Sequence, residues 1–247
     1  MSRTRWFLHA LLVSPASVLY VLLMLPVVRS LPCAIDKLGP AMGIPLLPDL
    51  VDKFLLTQEL DSDSDTSSLS SEAPLDPPSS IFVYNSVVAT FYTLSDHSGT
   101  HGMRHECIRA IASWWLGKGR YNTIFVANES DAPGMRGLLV ARVRHFLSIK
   151  TQSGKVHLCA LIHWWTVQGE ACDEDMGMWT AQPDLQEDGQ PVLAIVHLDC
   201  VMRAAHLMPV FGDCEVPHGF SHYDTLDVFK FYYVNKFADH NAFSIAF

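Results

Sequence analysis

Two histidines and a cysteine lie close together in the segment from residue 101 to residue 107. His101, His105 and Cys107 are ligands of the kind that zinc prefers. A structural zinc site needs four ligands, usually as two close pairs, and no second pair stands out among the other histidines and cysteines. The six cysteines also include no C-x-x-C pair. We therefore predict no metal site and no disulfide framework.

Carboxylates cluster at four positions between two predicted strands, namely Glu170, Asp173, Glu174 and Asp175. Such a cluster can hold a divalent cation, but the spacing does not match an EF-hand loop, and a solvated loop is the commoner structure. The chain also has no glycine loop for phosphate and no G-x-S-x-G elbow for a serine nucleophile. We predict no catalytic residue and no cofactor. A metal-dependent hydrolase is the least favoured alternative.

Aromatic and imidazole side chains in and after the segment Val156–Val167 are the candidate partner-binding residues. Alternate positions of this segment are apolar, which assigns one face of a strand to the core: Val156, Leu158, Ala160, Ile162 and Trp164. The opposite face then points outward and carries histidines and a second tryptophan. The candidate partner-binding residues are Trp165, Trp179, His157 and His163.

Two long β-rich segments position these residues. Leu138–Ile149 and Val156–Val167 flank Gln152–Lys155, which contains a glycine and predicts a hairpin turn. Further short strands are expected at Ile81–Leu94, Tyr121–Asn128, Met178–Gln182 and Val192–Leu198. Five or more short strands at this spacing favour a mainly β fold with α additions, built around a small, partly open β-barrel.

The last part of the chain predicts a helix on that barrel. Leu226, Phe229, Tyr233 and Phe237 recur at spacings of three and four residues, and Asp224 or Thr225 is placed to cap the first turn. This pattern is typical of an amphipathic helix with one apolar stripe. We expect it to pack against the barrel.

Changes in composition divide the chain into four parts. Residues 1–30 are strongly hydrophobic, and residues 31–60 contain a short amphipathic helix at Leu50–Leu60. Residues 61–80 are acidic and rich in serine and proline, which predicts a disordered linker because such a segment has little apolar surface to bury. Residues 81–247 hold the predicted binding domain. Since the strand signals lie there, we expect that part to fold alone.

The hydrophobic N-terminus has no charged residue between Arg5 and Arg29. Residues 6–28 are long enough to cross a bilayer, and Arg3 and Arg5 give a positive flank. A cleaved signal peptide, a membrane anchor and a buried helix all remain open. If the segment is used for targeting, the protein is secretory or membrane-bound; if it is not, a nuclear location is the alternative.

Overall charge limits the partners. The formal net charge is -9, so the chain lacks the broad basic face that holds a DNA backbone by counterion release. Autonomous tight DNA binding is therefore not expected. Cys107, Cys159 and Cys200 lie in apolar runs, which favours buried, reduced thiols.

A string of blocks in this order resembles a known family. The blocks are ATFYTLSDHSGTHGMRHECIRA, GMRGLLVARVRHFLS, CALIHWW, DEDMGMW, VHLDCVMRAAHLMPVFG and FYYVNKFADHNAFSIAF. They resemble the C-terminal region of Plavaka-type transposase-like proteins, of the CACTA-like or KDZ kind, in basidiomycete fungi. In that family strand cutting belongs to an acid triad on an RNase H-like core upstream of this region. No position here matches the triad, so the resemblance implies a non-catalytic accessory or remnant domain.

The block order is also similar, at the level of fold, to a bromo-adjacent-homology (BAH) barrel. That similarity implies a domain that docks a protein or chromatin partner, although a fold alone does not set a function. The alternative function is a membrane-tethered or secreted structural ectodomain. The glycosylation sequon Asn128-Glu129-Ser130 would matter only in that case.

Overall fold

The structure is a computed structural model and describes residues 9–10, 22–24, 35–62, 76–92, 103–115, 117–128, 132–212 and 215–246. Its helices in these ranges are α1 (Ile35–Ala41), α2 (Leu47–Ser62), α3 (Thr225–Val228) and α4 (His240–Ala246). Its strands there are β1 (His9–Ala10), β2 (Leu22–Met24), β3 (Pro78–Tyr84), β4 (Ser86–Tyr92), β5 (Met103–Ile111), β6 (Arg120–Tyr121), β7 (Thr123–Ala127), β8 (Leu138–Thr151), β9 (Val156–Gln168), β10 (Thr180–Pro183), β11 (Leu193–His197), β12 (Val201–Ala205), β13 (Leu207–Pro209) and β14 (Tyr232–Val234).

The β8–β9 hairpin is the central element of the fold, because four other strands pair with it. The two antiparallel strands pair from Val140↔Trp165 to Lys150↔Val156, and Gly154 takes a positive φ of 93° in the turn between them. The predicted hairpin is therefore confirmed. β7 and β3 pair with successive parts of β8, and β10 and β11 pair with successive parts of β9.

Two sheets enclose one apolar interior. One sheet has the order β12-β7-β8-β9-β10-β14-β13, and the other has the order β1-β2-β4-β5-β6. Side chains from both sheets meet in one buried cluster, which includes Phe91 of β4, Ile108 of β5, Ile124 of β7 and Ile162 of β9. The predicted fold class is confirmed: the protein is mainly β, with a nearly closed barrel-like sheet and a few short helices.

The hairpin buries its outer face as well as its inner face. At its turn end, α1 and α2 lay Leu47, Val51 and Phe54 over Leu147 and Leu161; we call residues 35–62 the helical cover. At the other end, β13, β14 and α4 contact the hairpin near Trp165, with the buried residues Leu207, Tyr232, Val234 and Ala246; we call residues 207–246 the C-terminal cover.

The predicted core face of β9 is right at Leu158, Ala160 and Ile162, but the prediction that the opposite face points outward is wrong because that face is buried too. Trp165 is 3 % exposed and contacts Tyr232 at a ring-centroid distance of 4.8 Å, whereas Trp164 is only partly buried. His157 and His163, predicted to face outward, are buried too. An alternating pattern of apolar residues does not show that the other face of a strand is exposed, because a second layer can cover that face.

The predicted helix through Leu226, Phe229, Tyr233 and Phe237 does not form as one element. Only Thr225–Val228 is helical, and Tyr233 lies in β14 between β10 and β13. Strand pairing and the burial of Tyr232 override the local helical spacing. A C-terminal helix is nevertheless present, in a different place, at His240–Ala246.

The helical cover shares a core with the strands. The predicted helix at Leu50–Leu60 is present within α2, and its residues Val51, Phe54 and Leu55 are buried against Ile81 and Ile149. A domain boundary at residue 81 therefore cuts through a packed cluster. Most of the predicted linker, residues 63–75, lies outside the described residues.

Most of the hydrophobic segment 6–28 also lies outside the described residues. Its described parts are His9–Ala10, which pairs with β2, and Leu22–Met24, which also pairs with β4. Of the helices in the described ranges, none is both long and apolar enough to cross a membrane. Of the cysteines predicted to be buried thiols, Cys159 is fully buried, while Cys107 and Cys200 are partly exposed; none of these three described cysteines forms a disulfide.

Candidate functional site

A row of cavities that share wall residues extends from the loop between β5 and β6, past the C-terminal cover, to the helical cover, with Arg142 and Arg144 of β8 at its centre. It consists of three neighbouring cavities of about 550, 560 and 520 Å³. The first two share Arg142 and Leu226 in their walls, and the last two share Arg144 and Pro191. We call this feature the outer trough, with an aromatic end, a charged centre and an apolar end.

The hairpin itself supplies the charged centre. Arg142 of β8 lies directly opposite His163 of β9, and a register shift between Val143 and His145 places Arg144 in a bulge. Val143 points into the barrel interior, while the arginines on either side of it line the outer trough. A β-bulge re-aims side chains in this way and often occurs beside functional sites.

Arg142 is buried but neutralised. Both of its terminal nitrogens donate hydrogen bonds to the Asp227 carboxylate, one of them at 3.2 Å. Arg142 is 7 % exposed, whereas the Asp227 side chain is 57 % exposed, so the carboxylate lies at the solvent side of the pair. The Nε of Arg142 is buried without a hydrogen-bond partner in the described part of the chain.

Arg144 is a half-buried cation at the centre of the trough. Its guanidinium lies 5.0 Å from the ring centroid of Tyr121, and no described carboxylate forms a salt bridge with it. Burial lowers the pKa of Arg144 from its ordinary value, and the nearby positive charge of Arg142 lowers it further. The side chain remains protonated at neutral pH because an arginine starts from so high a pKa.

His163 is held in one orientation by the backbone. Its Nε2–H donates to the carbonyl oxygen of Asp184 at 2.8 Å. Burial lowers the pKa of His163. The imidazole is therefore neutral at pH 7 and adds a fixed polar wall, not a charge.

The aromatic end is built on the loop between β5 and β6. Trp114 lies under the guanidinium of Arg109 at 4.6 Å, and Trp115 is 84 % exposed with a φ of 50°. A bulky residue rarely takes positive φ, so the loop presents Trp115 to solvent against a backbone preference.

Two glycines hold that loop close to the wall of the trough. A Cβ on Gly117 would lie 2.7 Å from the Tyr223 hydroxyl, and one on Gly119 would lie 2.7 Å from Cε2 of Tyr121. Lys118, between them, pairs with Asp224. Gly117 and Gly119 thus allow the close approach of this loop to Tyr223 and Tyr121, which both line the aromatic end.

The apolar end lies where the turn between α1 and α2 meets the strand β11. Its lining includes Ile44, Pro45, Leu46, Leu50 and Leu193. Leu46 is exposed, so this end offers an apolar contact surface beside the charged centre.

The four predicted partner-binding residues separate in the structure. His163 and Trp165 lie together in the wall of the charged centre, although both are buried. His157 lies under α2, with its ring 5.9 Å from that of Phe54. Trp179 lines a different cavity, together with Arg136 and four other residues, and is partly buried.

Sequence reasoning missed the residues that give the trough its chemistry. Arg142 and Arg144 interrupt an otherwise apolar strand, L-L-V-A-R-V-R-H-F-L, and two charges in so apolar a run were the available signal. Trp114 and Trp115 were marked by the small glycines that follow them. Asp227 carried no local signal, because its partner lies 85 positions away.

The acidic run between β9 and β10 forms a loop. Asp173 accepts a hydrogen bond from the Met176 backbone N–H at 2.8 Å, and Glu174 and Asp175 are exposed. Within the described ranges, no three His, Cys, Asp or Glu side chains are placed to hold a metal ion together. His101 of the first histidine cluster lies outside those ranges.

Comparisons of the chain with protein-family models, with curated proteins and with solved structures found no match.

Proposed function

We propose that this chain is a non-catalytic docking domain that binds an extended segment of a partner protein in the outer trough. The observation that carries this proposal is the row of three cavities at the outer face of the hairpin, which the two covers leave unfilled. Cavities flanked by an aromatic end and an apolar end offer a partner separate anchoring points.

The composition of the trough supports a protein partner. Tryptophan, tyrosine and arginine are the side chains that contribute most binding energy in protein interfaces, and all three types line this trough. The strained, exposed Trp115 is the clearest anchor. A fold that holds a bulky residue at positive φ in solvent gains nothing from it in the free state.

The charge distribution argues against nucleic acid as the partner. Arg142 is neutralised by Asp227, Lys118 by Asp224, and Arg203 by Glu106 and Asp239. With a net charge of -9 on the whole chain, this leaves few free cations to follow a phosphate backbone.

The lining chemistry supports a role without bond breaking. The described lining residues of the trough include no serine or cysteine, and the neutral His163 is engaged by a backbone carbonyl. A nucleophile with an oriented base is the arrangement that covalent hydrolysis needs.

The proposed origin is a fungal transposase-like protein, of which this would be an accessory or remnant domain. Two of the blocks that carry the resemblance, Gly134 to Ser148 and Cys159 to Trp165, fall on β8 and β9 and so supply the trough's charged centre. The BAH-like barrel is proposed on the same fold-level basis, with docking as the shared task.

Selection of peptides tests the docking function. Panning random phage-displayed peptides of about twelve residues against the full chain should enrich binders, because a preformed trough can capture short extended segments. The variant Trp115→Ala should weaken the enriched peptides at least about tenfold, as loss of a central aromatic anchor does. Fluorescence anisotropy measures the affinities.

The matched control is Phe237→Ala, which removes an exposed aromatic side chain that does not line the trough. It should leave the affinities unchanged. Failure to enrich any peptide, or equal losses in the two variants, would remove the proposal. So would tight binding of a single-stranded oligonucleotide at physiological salt in preference to the peptides.

A further inference from the structure

We propose that the charged centre of the outer trough is a carboxylate-binding site that takes the side chain of an aspartate or glutamate in the docked peptide. This inference rests on the proposed docking function and names the chemistry that the docked segment must bring. Its main element is Arg144, which forms no salt bridge in the described part of the chain.

The lack of a salt bridge at Arg144 is the first observation, since Asp227 pairs with Arg142 and acts on Arg144 only from beyond salt-bridge distance. Taking a cation partly out of water without a counter-charge is unfavourable, and proteins normally place an acidic partner beside it. Here the face of Tyr121 supplies a contact at 5.0 Å, which is a weaker interaction than an ion pair. A carboxylate from outside would complete the pair.

The nearby carboxylates of the chain itself are occupied by other donors. Asp184 accepts the Thr166 backbone N–H at 3.0 Å, and Asp188 accepts the Gln190 backbone N–H at 2.9 Å. Asp227 holds Arg142. None of these acids is within salt-bridge distance of Arg144.

Unpartnered donors in the same wall are the second observation. The Nε of Arg142 and the Nε1 of Trp165 are both buried, and neither has a hydrogen-bond partner in the structure. Each such donor costs free energy, and in folded proteins most are satisfied by a bound group or by water. Both residues line the cavity that also contains Arg144.

The local charge favours a carboxylate over a phosphate. Asp227, exposed on the wall of the same cavity, would repel a dianion more strongly than a monoanion. The site is therefore expected to discriminate against phosphoserine.

Oriented peptide libraries test this site on the full chain. Fluorescein-labelled libraries are randomised except for one fixed central residue, which is glutamate, glutamine or phosphoserine. The glutamate library should bind the wild-type protein at least about tenfold more tightly than the glutamine library, since a charge-assisted pair is lost with glutamine. Anisotropy measures each affinity.

Two variants locate the effect. Arg144→Gln should abolish the preference for glutamate, so that the glutamate and glutamine libraries bind equally. The matched control Arg136→Gln removes an exposed arginine that lines a different cavity and should keep the preference.

The outcomes separate the two proposals. If all libraries bind but the wild-type protein shows no preference for glutamate, the carboxylate site is wrong and the docking function stands. A preference for phosphoserine, or a glutamate preference that survives Arg144→Gln, also overturns the carboxylate site. If no library binds, the docking function itself is wrong.

Discussion

The two covers both bury part of the outer face of the β8–β9 hairpin, but they do so with different side-chain contacts. The helical cover packs almost only apolar side chains, with Leu47, Val51 and Phe54 on one face of α2. The C-terminal cover consists of short pieces, of which β14 has three residues and α4 has seven. Charged contacts position those pieces, and the ion pair between Arg203 and Asp239 is the main one.

This difference shows how each cover depends on its neighbours. An amphipathic helix carries its own hydrogen bonds and needs only an apolar surface to pack against. A three-residue strand cannot satisfy its backbone hydrogen bonds within itself. Tyr232–Val234 forms them with β10 and β13. The helical cover should therefore contribute mainly buried area, and the C-terminal cover mainly specific contacts.

Removal of the helical cover should have the largest effect. A protein of residues 76–247 would expose Leu147, Ile149 and Leu161, which α2 buries in the intact chain. Loss of several fully buried apolar side chains costs at least about 5 kcal/mol, which is comparable to the whole stability of a typical domain. We expect no cooperative urea transition for this protein by circular dichroism.

The control for this deletion is a protein of residues 35–247, which keeps both helices of the cover and loses the pairing of Leu22–Met24 with β4. It should retain a cooperative transition. If residues 76–247 unfold cooperatively with similar stability, the strands form an independent unit and the cover is an accessory element.

Substitution of Trp165 should have the next largest effect, and it tests the C-terminal cover. Trp165→Ala should destabilise the protein by about 3–5 kcal/mol, because it removes a buried ring that packs on Tyr232. Trp164→Ala should cost about half as much, since that ring is only partly buried. Urea melts measure both free energies of unfolding. Equal losses would contradict the packing of Trp165 against the C-terminal cover.

The sequence was sufficient for elements that local patterns control. The hairpin around Gly154 and the α2 helix were predicted from a turn signal and from apolar spacing, and both formed close to the expected positions. The segment after Leu226 was not predictable in this way. Its spacing fits a helix, and only the strands on either side of Tyr233 determine that it becomes β14.

The outer trough could not be predicted from the sequence for a related reason. Alternation in β9 separates its two faces but cannot say whether a second layer covers one of them, so Trp165 was placed outward. Arg142 and Arg144 become a site only because the C-terminal cover, which reaches Arg142 through Asp227, and the helical cover leave a gap around them. Contacts between residues far apart in sequence set that gap, and a single sequence does not show them.

The smallest of these effects tests the charged contacts of the C-terminal cover. Asp239 accepts hydrogen bonds from Arg203, which is 3 % exposed, and from the backbone N–H of Ala242 at the start of α4. Asp239→Asn should cost about 2–3 kcal/mol at pH 7, less than a buried charge left wholly unpaired, because Glu106 still pairs with Arg203.

The pH dependence of Asp239→Asn has a definite sign. Burial acts to raise the pKa of Asp239, but the Arg203 hydrogen bonds outweigh it, and the pKa lies below its ordinary value. A carboxyl with a lowered folded pKa stabilises fully above its unfolded pKa of about 3.9 and loses that contribution as pH falls through the folded value. Urea melts of the wild type and Asp239→Asn should therefore converge below about pH 4. The exposed Glu174→Gln should follow the wild type throughout; parallel wild-type and Asp239→Asn curves down to about pH 3 would show that this ion pair does not hold the C-terminal cover.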